Sequence, residues 1–362
     1  CAEDEIGIGT SHDGIMVLPN EIAAGTLAKD YFNIQDDYIF EIGLTPNRID
    51  AASHYGVARD LAAYFSVQGN AKLTKPSIDS FIDNSDKKPF QVIVENPKDC
   101  PRYCGVAITN VTVKESPEWL KNRLKSIGQK SINNIVDVTN LVLHELAQPL
   151  HAFDLSNIEG NQIIVKTVAN NTKFTTLDGI ERELSSDDLI ICNAQSPMCI
   201  AGVLGGKESG VTDQTTAIFL ESAYFNPVTI RKTAKRHGLS TDASFRFERG
   251  IDPNNTVFAL KRAALLIQEI AGGTISSSIF DSNSEKFPAF AIELSFSKIK
   301  SLIGKNIDSA VIERILEALE ITIIAKNNDS ISVEVPAYRV DVQRQEDIVE
   351  ENLASRLVAD FG

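Results

Sequence analysis

Apolar positions along the chain change their spacing from one region to the next. Between Gln91 and Phe225 they come in short runs bounded by turn residues: "QVIVEN", "RYCGVAITNVTV", "QIIVKTV", "LIICNA", "MCIAGVL" and "AIFLESAYF". Runs of this length and make-up predict strands. Three helical stretches interrupt them. "SPEWLKNRLKSIG" predicts a helix with Ser116 as cap, Pro117 at the first position and Gly128 as stop. "SINNIVDVTNLVLHEL" follows, and "NPVTIRKTAKRHG" repeats the grammar, with Asn226 as cap and Gly238 closing. Strands and helices do not alternate regularly, so the expected class is α+β. Nearer the start, "TPNRIDAASHYGVARDLAAYF" predicts a turn at Pro46 and Asn47, a cap at Asp50 and a helix over Ala51 to Phe65. The last region reads helix, helix, hairpin, helix. "DSAVIERILEALE" sets Val311, Ile312, Ile315, Leu316 and Leu319 on one face, "ITIIA" and "ISVEV" flank the turn "KNNDS", and "QEDIVEENLASRL" regains helical period. That order predicts a small winged-helix-like domain. Two polar stretches, 73–90 and 272–290, read as boundaries, giving domains over 1–75, 91–272 and 290–362.

Composition narrows the class further. The chain has 362 residues, 43% hydrophobic and 23% charged, enough for two or three cores of ordinary soluble type. No apolar run approaches the length of a membrane span, and the acidic start "CAEDEIG" is no signal peptide. Cys1 in place of Met and the abrupt end "RLVADFG" suggest a piece of a longer protein. The five cysteines lack zinc spacing, which favours a reduced, cytoplasmic protein. A net charge of -14 argues against nucleic acid coating the whole surface but leaves room for local basic patches.

One such patch lies between Asn226 and Gly250. Arg231 with Lys235 and Lys232 with Arg236 stand four apart on one side of the predicted helix, and Arg246 and Arg249 follow. The pattern reads either as a solvated face or as a phosphate-facing patch. Glu221 lies inside the apolar run "AIFLESAYF", where a carboxylate is costly unless it is bonded. It reads as an ion-pair partner of a nearby arginine or as a pocket carboxylate for a ligand's hydroxyl or amine. "CIAGVLGGKESG" matches no Walker or dinucleotide loop, and reads as a tight turn or as a place of close backbone approach. His151 is a lone histidine after a proline turn, with no serine or cysteine arranged beside it as a nucleophile. In "DVQRQEDIVEE", Asp347, Glu350 and Glu351 share one helix face with Asp341 just upstream. All-oxygen ligands suit Mg2+, while acidic residues also simply favour a helix N-terminus.

Taken together, "LTPNRIDAASHYGVARDLAAY", "INNIVDVTNLVLHELAQPLHAFD", "GVLGGKESGVTD", "LESAYFNPVTIRKTAKRHGLSTDASFRFERGID" and "VPAYRVDVQRQEDIVEE" resemble the β subunit of bacterial phenylalanyl-tRNA synthetase, in the family's order over nearly the whole chain. The resemblance implies that residues 1–75 are the remnant of an N-terminal domain following an oligonucleotide-binding insertion. It implies a mixed-sheet editing domain in the middle that hydrolyses tyrosine mischarged on tRNA(Phe). On it, Glu221, His151, Thr241, Ala243 and Gly205 fall on the editing pocket, with Lys130 and Asn133 as substrate-binding residues. Lys130 stands where the family often carries Arg, keeping the charge but losing the bidentate fork. Arg231, Lys232, Lys235 and Arg236, with Arg246 and Arg249 downstream, would guide the tRNA acceptor end. Asp341, Asp347, Glu350 and Glu351 would hold Mg2+ shared with the α subunit of an α2β2 heterotetramer, whose ATP this part does not bind. No membrane is implied. With no strong general base in view, backbone groups and the terminal ribose hydroxyl would position the water, and His151 would orient the substrate.

Overall fold

The computed structural model describes residues 1–9, 11–32, 34, 37–69, 71–83 and 90–350. It forms two compact units, Cys1–Ile42 and Gly43–Gly362. The first is made of turns and one short helix, α1 (Ala28–Tyr31). The second opens with a 3-10 turn at Ile49–Ala51 and the helix α2 (His54–Gln68). Ser53, not Asp50, is its cap, with the Ser53 hydroxyl accepting from the Gly56 N–H at 3.0 Å.

The middle region is a layered α+β domain. In chain order it runs β1 (Gln91–Val94), β2 (Arg102–Val111), α3 (Glu118–Ser126), α4 (Asn134–Leu146) and β3 (Leu150–Asp154). Then come β4 (Gln162–Thr167), β5 (Thr172–Thr175), β6 (Glu181–Leu184), β7 (Leu189–Cys192), β8 (Pro197–Ile200), β9 (Leu204–Gly205) and β10 (Ala217–Tyr224). It closes with α5 (Pro227–His237), α6 (Asp242–Phe247), α7 (Thr256–Ala271), β11 (Gly272–Ile275) and β12 (Phe280–Asn283). One sheet has the order β1-β4-β7-β8-β9, parallel only between β1 and β4. The other has the order β11-β2-β10-β3, with β12 also on β2, and is antiparallel throughout.

Strand alternation explains the layers, because successive side chains point to opposite faces. From β2, β3 and β10, Tyr103, Phe153, Phe219 and Ala223 enter a core shared with Ile163, Ile190 and Ile200 of the first sheet. Val106, Ile108, Ala152, Ile218 and Leu220 face the other way, against Leu120 of α3, Ile135 and Val142 of α4, and Leu260 and Ile267 of α7. Each fully buried Leu or Ile contributes about 1.5–3 kcal/mol.

The structure departs from the sequence-based expectations in several places. The cap of α3 falls on Pro117, and Ser116 instead donates to the buried Asp137 carboxylate at 2.6 Å. "MCIAGVL" is two strands with a turn between them, and "LHAFD" is a strand. The stretch expected to be a boundary after Gly272 holds β11 and β12, so the middle domain runs to Asn283. These are short edge strands with mostly exposed or half-buried side chains, which hides their periodicity.

The last region runs β13 (Phe290–Ser295), α8 (Phe296–Ile303), α9 (Ser309–Ala318), β14 (Thr322–Lys326) and β15 (Ser330–Val335). The hairpin and β13 make a sheet of order β13-β15-β14. The helix–helix–hairpin order matches expectation, with β13 added. Ile312, Ile315, Leu316 and Leu319 are buried and Val311 half-buried. Ala63 of α2 lies in this same core, so α2 packs with the last region rather than forming a domain with the residues before it. Residues 345–350 are helical, and the rest of that predicted helix, Glu351 included, lies outside the described residues.

Charges fasten α2 to this region. Asp50, with its side chain 1% exposed, takes Arg48 Nε at 3.0 Å and Arg59 Nη2 at 2.9 Å, with Arg339 Nη1 at 3.7 Å. Glu320 receives Arg59 at 3.0 Å, Tyr55 Oη at 2.6 Å and Tyr338 Oη at 2.8 Å. Burial pushes the Asp50 carboxyl up, but the bond from Arg48 and the charges of Arg339, Arg48 and Arg59 bring it below the usual range. Glu320 is held low in the same way, with burial outweighed by Tyr55, Tyr338 and Arg59.

Candidate functional site

Glu221 occupies the middle of β10, opposite Gly105 on β2 and His151 on β3. It is 5% exposed, and Tyr103 Oη donates to its Oε2 at 2.9 Å. That phenol, not an arginine, is its partner. Burial pushes the Glu221 carboxyl up to about 8, with the bond from Tyr103 pulling the other way. His151 is packed edge-on against Phe153, with ring centroids 4.4 Å apart, and its buried Nε2 has no hydrogen-bond partner among the described residues. Burial lowers its pKa to about 4, so the ring is neutral at ordinary pH.

Gly205, on β9, comes up against the same imidazole. A Cβ there would lie 2.8 Å from His151 Cε1 and 3.0 Å from Leu177 Cδ1, so the space itself requires glycine. Two residues earlier, the Val203 carbonyl accepts from Thr241 Oγ1 at 2.9 Å. Thr241 Oγ1 in turn accepts from the Ser244 N–H at 3.1 Å, and Ser244 Oγ accepts from the Thr241 N–H at 2.9 Å, a capping box at the start of α6. Thr241 therefore ties α6 to the glycine turn, and Ala243, one residue into α6, packs on the shared core. Glu221 and His151 on one sheet and Gly205 on the other thus form one cluster between the two sheets, with Thr241 and Ala243 on the helix fastened to it. Sequence reasoning missed Tyr103. Alternation in "RYCG" places Tyr103 and Gly105 on one face, but the register that sets Gly105 beside Glu221 belongs to neither strand alone.

The other expected residues divide. Asn133 is buried and caps α4, its Oδ1 accepting from Ile135 N and Val136 N, while Lys130 is exposed in the α3–α4 connection. Arg231, Lys232, Lys235 and Arg236 all lie on the exposed side of α5. Arg236, however, pairs with the buried Asp188 and with Asp187 at 3.5 Å. Asp188 also takes Thr233 Oγ1 at 3.0 Å and His237 Nε2 at 2.8 Å. Arg246 and Arg249 do not extend the patch. Arg246 is 6% exposed, donating to the Asp242 carbonyl at 3.0 Å and the Ala52 carbonyl at 3.3 Å. Arg249 stacks 3.9 Å over the Phe245 ring and pairs with Glu248 at 2.6 Å. A guanidinium so engaged is spent on the fold.

Asp341, Asp347 and Glu350 line one cleft of about 260 Å³ with Thr45, Asn47 and Arg48. Asn47 Nδ2 donates to Asp341 Oδ2 at 2.8 Å, and Asp341 Oδ1 has no hydrogen-bond partner among the described residues. Asp347 Oδ2 accepts from the N–H groups of Gln343 and Arg344 at 3.0 and 2.9 Å, and Oδ1 pairs with Arg344 Nη2 at 3.0 Å. These oxygens suit Mg2+ in kind. They do not suffice in number, because no three carboxylate, histidine or cysteine groups converge among the described residues.

Residues 99–272 match the B3/4 domain, and residues 292–354 match the tRNA synthetase B5 domain. The phenylalanine–tRNA ligase β subunit of Bacteroides fragilis is 56% identical over 354 residues, 98% of this chain and 43% of that protein. The same subunit of Porphyromonas gingivalis is 52% identical over 353 residues, 97% of this chain and 43% of that one. This chain therefore spans less than half the length of these curated relatives. An N-terminal fragment of the phenylalanyl-tRNA synthetase β subunit from Pyrococcus horikoshii is matched over 86% of this chain and 84% of the fragment, with 15% identity and a TM-score of 0.44. All five cysteines are free, and among the described residues no helix is long and apolar enough to cross a membrane. With both domains in order and this identity along nearly its whole length, the chain belongs to the phenylalanine–tRNA ligase β-subunit family.

Proposed function

We propose that this chain binds tRNA(Phe) and clears tyrosine wrongly attached to it, by hydrolysing the aminoacyl ester in the middle domain. The observation that carries the reading is Glu221, a buried carboxyl group with a single phenol on one oxygen. Tyrosine differs from phenylalanine by one hydroxyl, and an apolar pocket rejects an added hydroxyl only on the order of 100-fold. A site that demands the hydroxyl has the easier task. Once ionised, through a titration near pH 8, Glu221 accepts a charge-assisted hydrogen bond from bound tyrosine, while with phenylalanine the oxygen not bonded to Tyr103 is left desolvated. Sites built to bond a hydroxyl discriminate by roughly 10,000-fold or more.

In hydrolysis, water adds to the ester carbonyl carbon, the ester C–O bond breaks, and the ribose oxygen leaves with a proton. His151, neutral and with its Nε2 buried, is unsuited to hold that proton at ordinary pH. That nitrogen is free to bond and orient the substrate. On this reading, backbone groups and the terminal ribose hydroxyl would stabilise the oxyanion and align the water. Lys130 would meet the substrate from the surface. Arg231, Lys232 and Lys235 would meet acceptor-end phosphates, with Arg236 fixing the helix that carries them.

In the whole protein this part would assemble with the α subunit as α2β2 in the cytoplasm, where α performs the ATP-dependent charging. Asp341, Asp347, Glu350 and Glu351 would complete a Mg2+ site only with donors from α, the ion neutralising their mutual repulsion. Deacylation of tyrosyl- and phenylalanyl-tRNA tests the editing role. Glu221→Ala, folded by circular dichroism, should slow tyrosyl-tRNA hydrolysis and shrink its preference over phenylalanyl-tRNA, with tRNA affinity unchanged. A folded variant that clears tyrosyl-tRNA as selectively as wild type would remove Glu221 from the specificity role, whereas a wild-type protein that hydrolyses neither ester would be a tRNA-binding scaffold instead.

A further inference from the structure

A carboxyl group that reads a hydroxyl needs one oxygen available and a fixed orientation. Glu221 has Gly105 and His151 as strand neighbours, and among the described residues Tyr103 is the side chain hydrogen-bonded to it. Tyr103 is itself fully buried on the same sheet face. Gly105, between them, has its missing Cβ position 2.1 Å from the Phe219 ring, so that ring closes over the strand and walls this face.

We propose that Tyr103 is a positioning residue for Glu221: its phenol occupies Oε2 and leaves Oε1 as the single oxygen that meets the ligand's hydroxyl. The inference rests on the editing reading above. It makes Glu221 a receptor for two phenols, one permanent and one supplied by the mischarged amino acid. The permanent one holds the carboxyl plane and favours its ionised form, which is the form that accepts from the second.

Four titratable groups face Glu221: Tyr103 from β2, His151 from β3, Cys199 from β8 and Cys100 from the turn before β2. Burial, followed by the charge of Glu221, pushes the phenol and both thiols up, while burial pulls His151 down to about 4. Between roughly pH 6 and 9 these four stay neutral, and Glu221 is the group of the five that changes charge. Selectivity for tyrosine should therefore rise through the titration of Glu221.

The test uses the full-length protein with its partner subunit. The ratio of kcat/KM for tyrosyl-tRNA over phenylalanyl-tRNA, each with its spontaneous ester loss subtracted, is followed from about pH 6 to 9 and reports the free enzyme. Tyr103→Phe removes only the hydroxyl. It should move the inflection to higher pH and lower the ratio at neutral pH by about tenfold, with KM for phenylalanyl-tRNA unchanged. A Tyr103→Phe profile that superimposes on wild type, while Glu221→Gln flattens it, overturns the positioning role and leaves the editing reading standing. A Glu221→Gln protein that keeps the wild-type ratio and profile removes Glu221 as the reader of the hydroxyl and overturns the positioning role with it, whereas a wild-type protein with no preference for tyrosyl-tRNA overturns the editing reading itself. Should Tyr103→Phe fail to fold, Tyr103→3-fluorotyrosine retains the hydroxyl as a stronger donor. The inflection should then move to lower pH, and an unmoved one refutes the proposal.

Discussion

A carboxyl group raised to about 8 on folding keeps a proton that the unfolded chain has lost, so folding at Glu221 is opposed increasingly as pH rises. The sign follows from proton binding: between the ordinary Glu range and pH 8 the folded state holds more protons than the unfolded, and stability falls with pH. Each unit is worth about 1.4 kcal/mol. Glu221→Gln keeps a neutral amide for Tyr103 to bond and removes this penalty. In urea unfolding it should gain on wild type steadily from about pH 5 to 8, reaching a few kcal/mol at most. A constant difference across that range would show that Glu221 titrates normally. The sequence exposed this tension, because "AIFLESAYF" is a buried strand with a carboxylate in it. It hid the resolution. Tyr103 lies 118 residues earlier, and only the β2–β10 register brings the two together.

At the scale of the element, the proposed function would have α5 divide its cations between two tasks. Asn226 and Gly238 were legible as its ends because capping is local: the Asn226 side chain accepts from Val228 N, and Gly238 adopts φ 64°, which glycine tolerates freely. What each cation does was not legible, since Asp188 reaches α5 from the start of β7. The same limit applies to Arg246, whose Ala52 partner is 194 residues away, and to β11 and β12, whose pairing with β2 no local signal announces. Charge reversal of Arg231, Lys232 and Lys235 together should weaken tRNA binding whatever amino acid is attached. The salt slope should drop by about one for each phosphate that is no longer neutralised. Arg236→Ala should instead lower Tm, because it strips a cation from an Asp188 carboxylate with no exposed surface. Binding assays across about 50 to 200 mM salt, with thermal melts of the same proteins, separate the two effects. Equal losses of affinity from Lys232 and Arg236 would contradict the division.

Over the whole second unit, the cluster around Asp50 joins residues near its beginning to residues near its end. Asp50→Asn leaves the fully buried Arg339 and the nearly buried Arg59 short of negative charge, and should cost about 3–5 kcal/mol. Asp50 and Glu320 both have folded-state pKa values below their ordinary ones. Their stabilisation is complete above the ordinary carboxylate range and disappears as pH falls through it and below. Acid unfolding of wild type should thus be steep there, and shallower in Asp50→Asn. Superimposable acid transitions would remove Asp50 from the stabilising set. Asp50 read from sequence as a helix cap, a local role, because nothing within a few positions points to Arg339. The separation has a consequence for synthesis on the ribosome. Arg59 and Glu320 are 261 residues apart, and translation at ~5–20 residues per second puts on the order of tens of seconds between them. Through that interval α2 has emerged with Arg59 waiting for Glu320 and its Ala63 face bare, while the layered domain downstream already gains every strand it needs. The middle of the chain can therefore finish first, and a helix made early is among the last to settle.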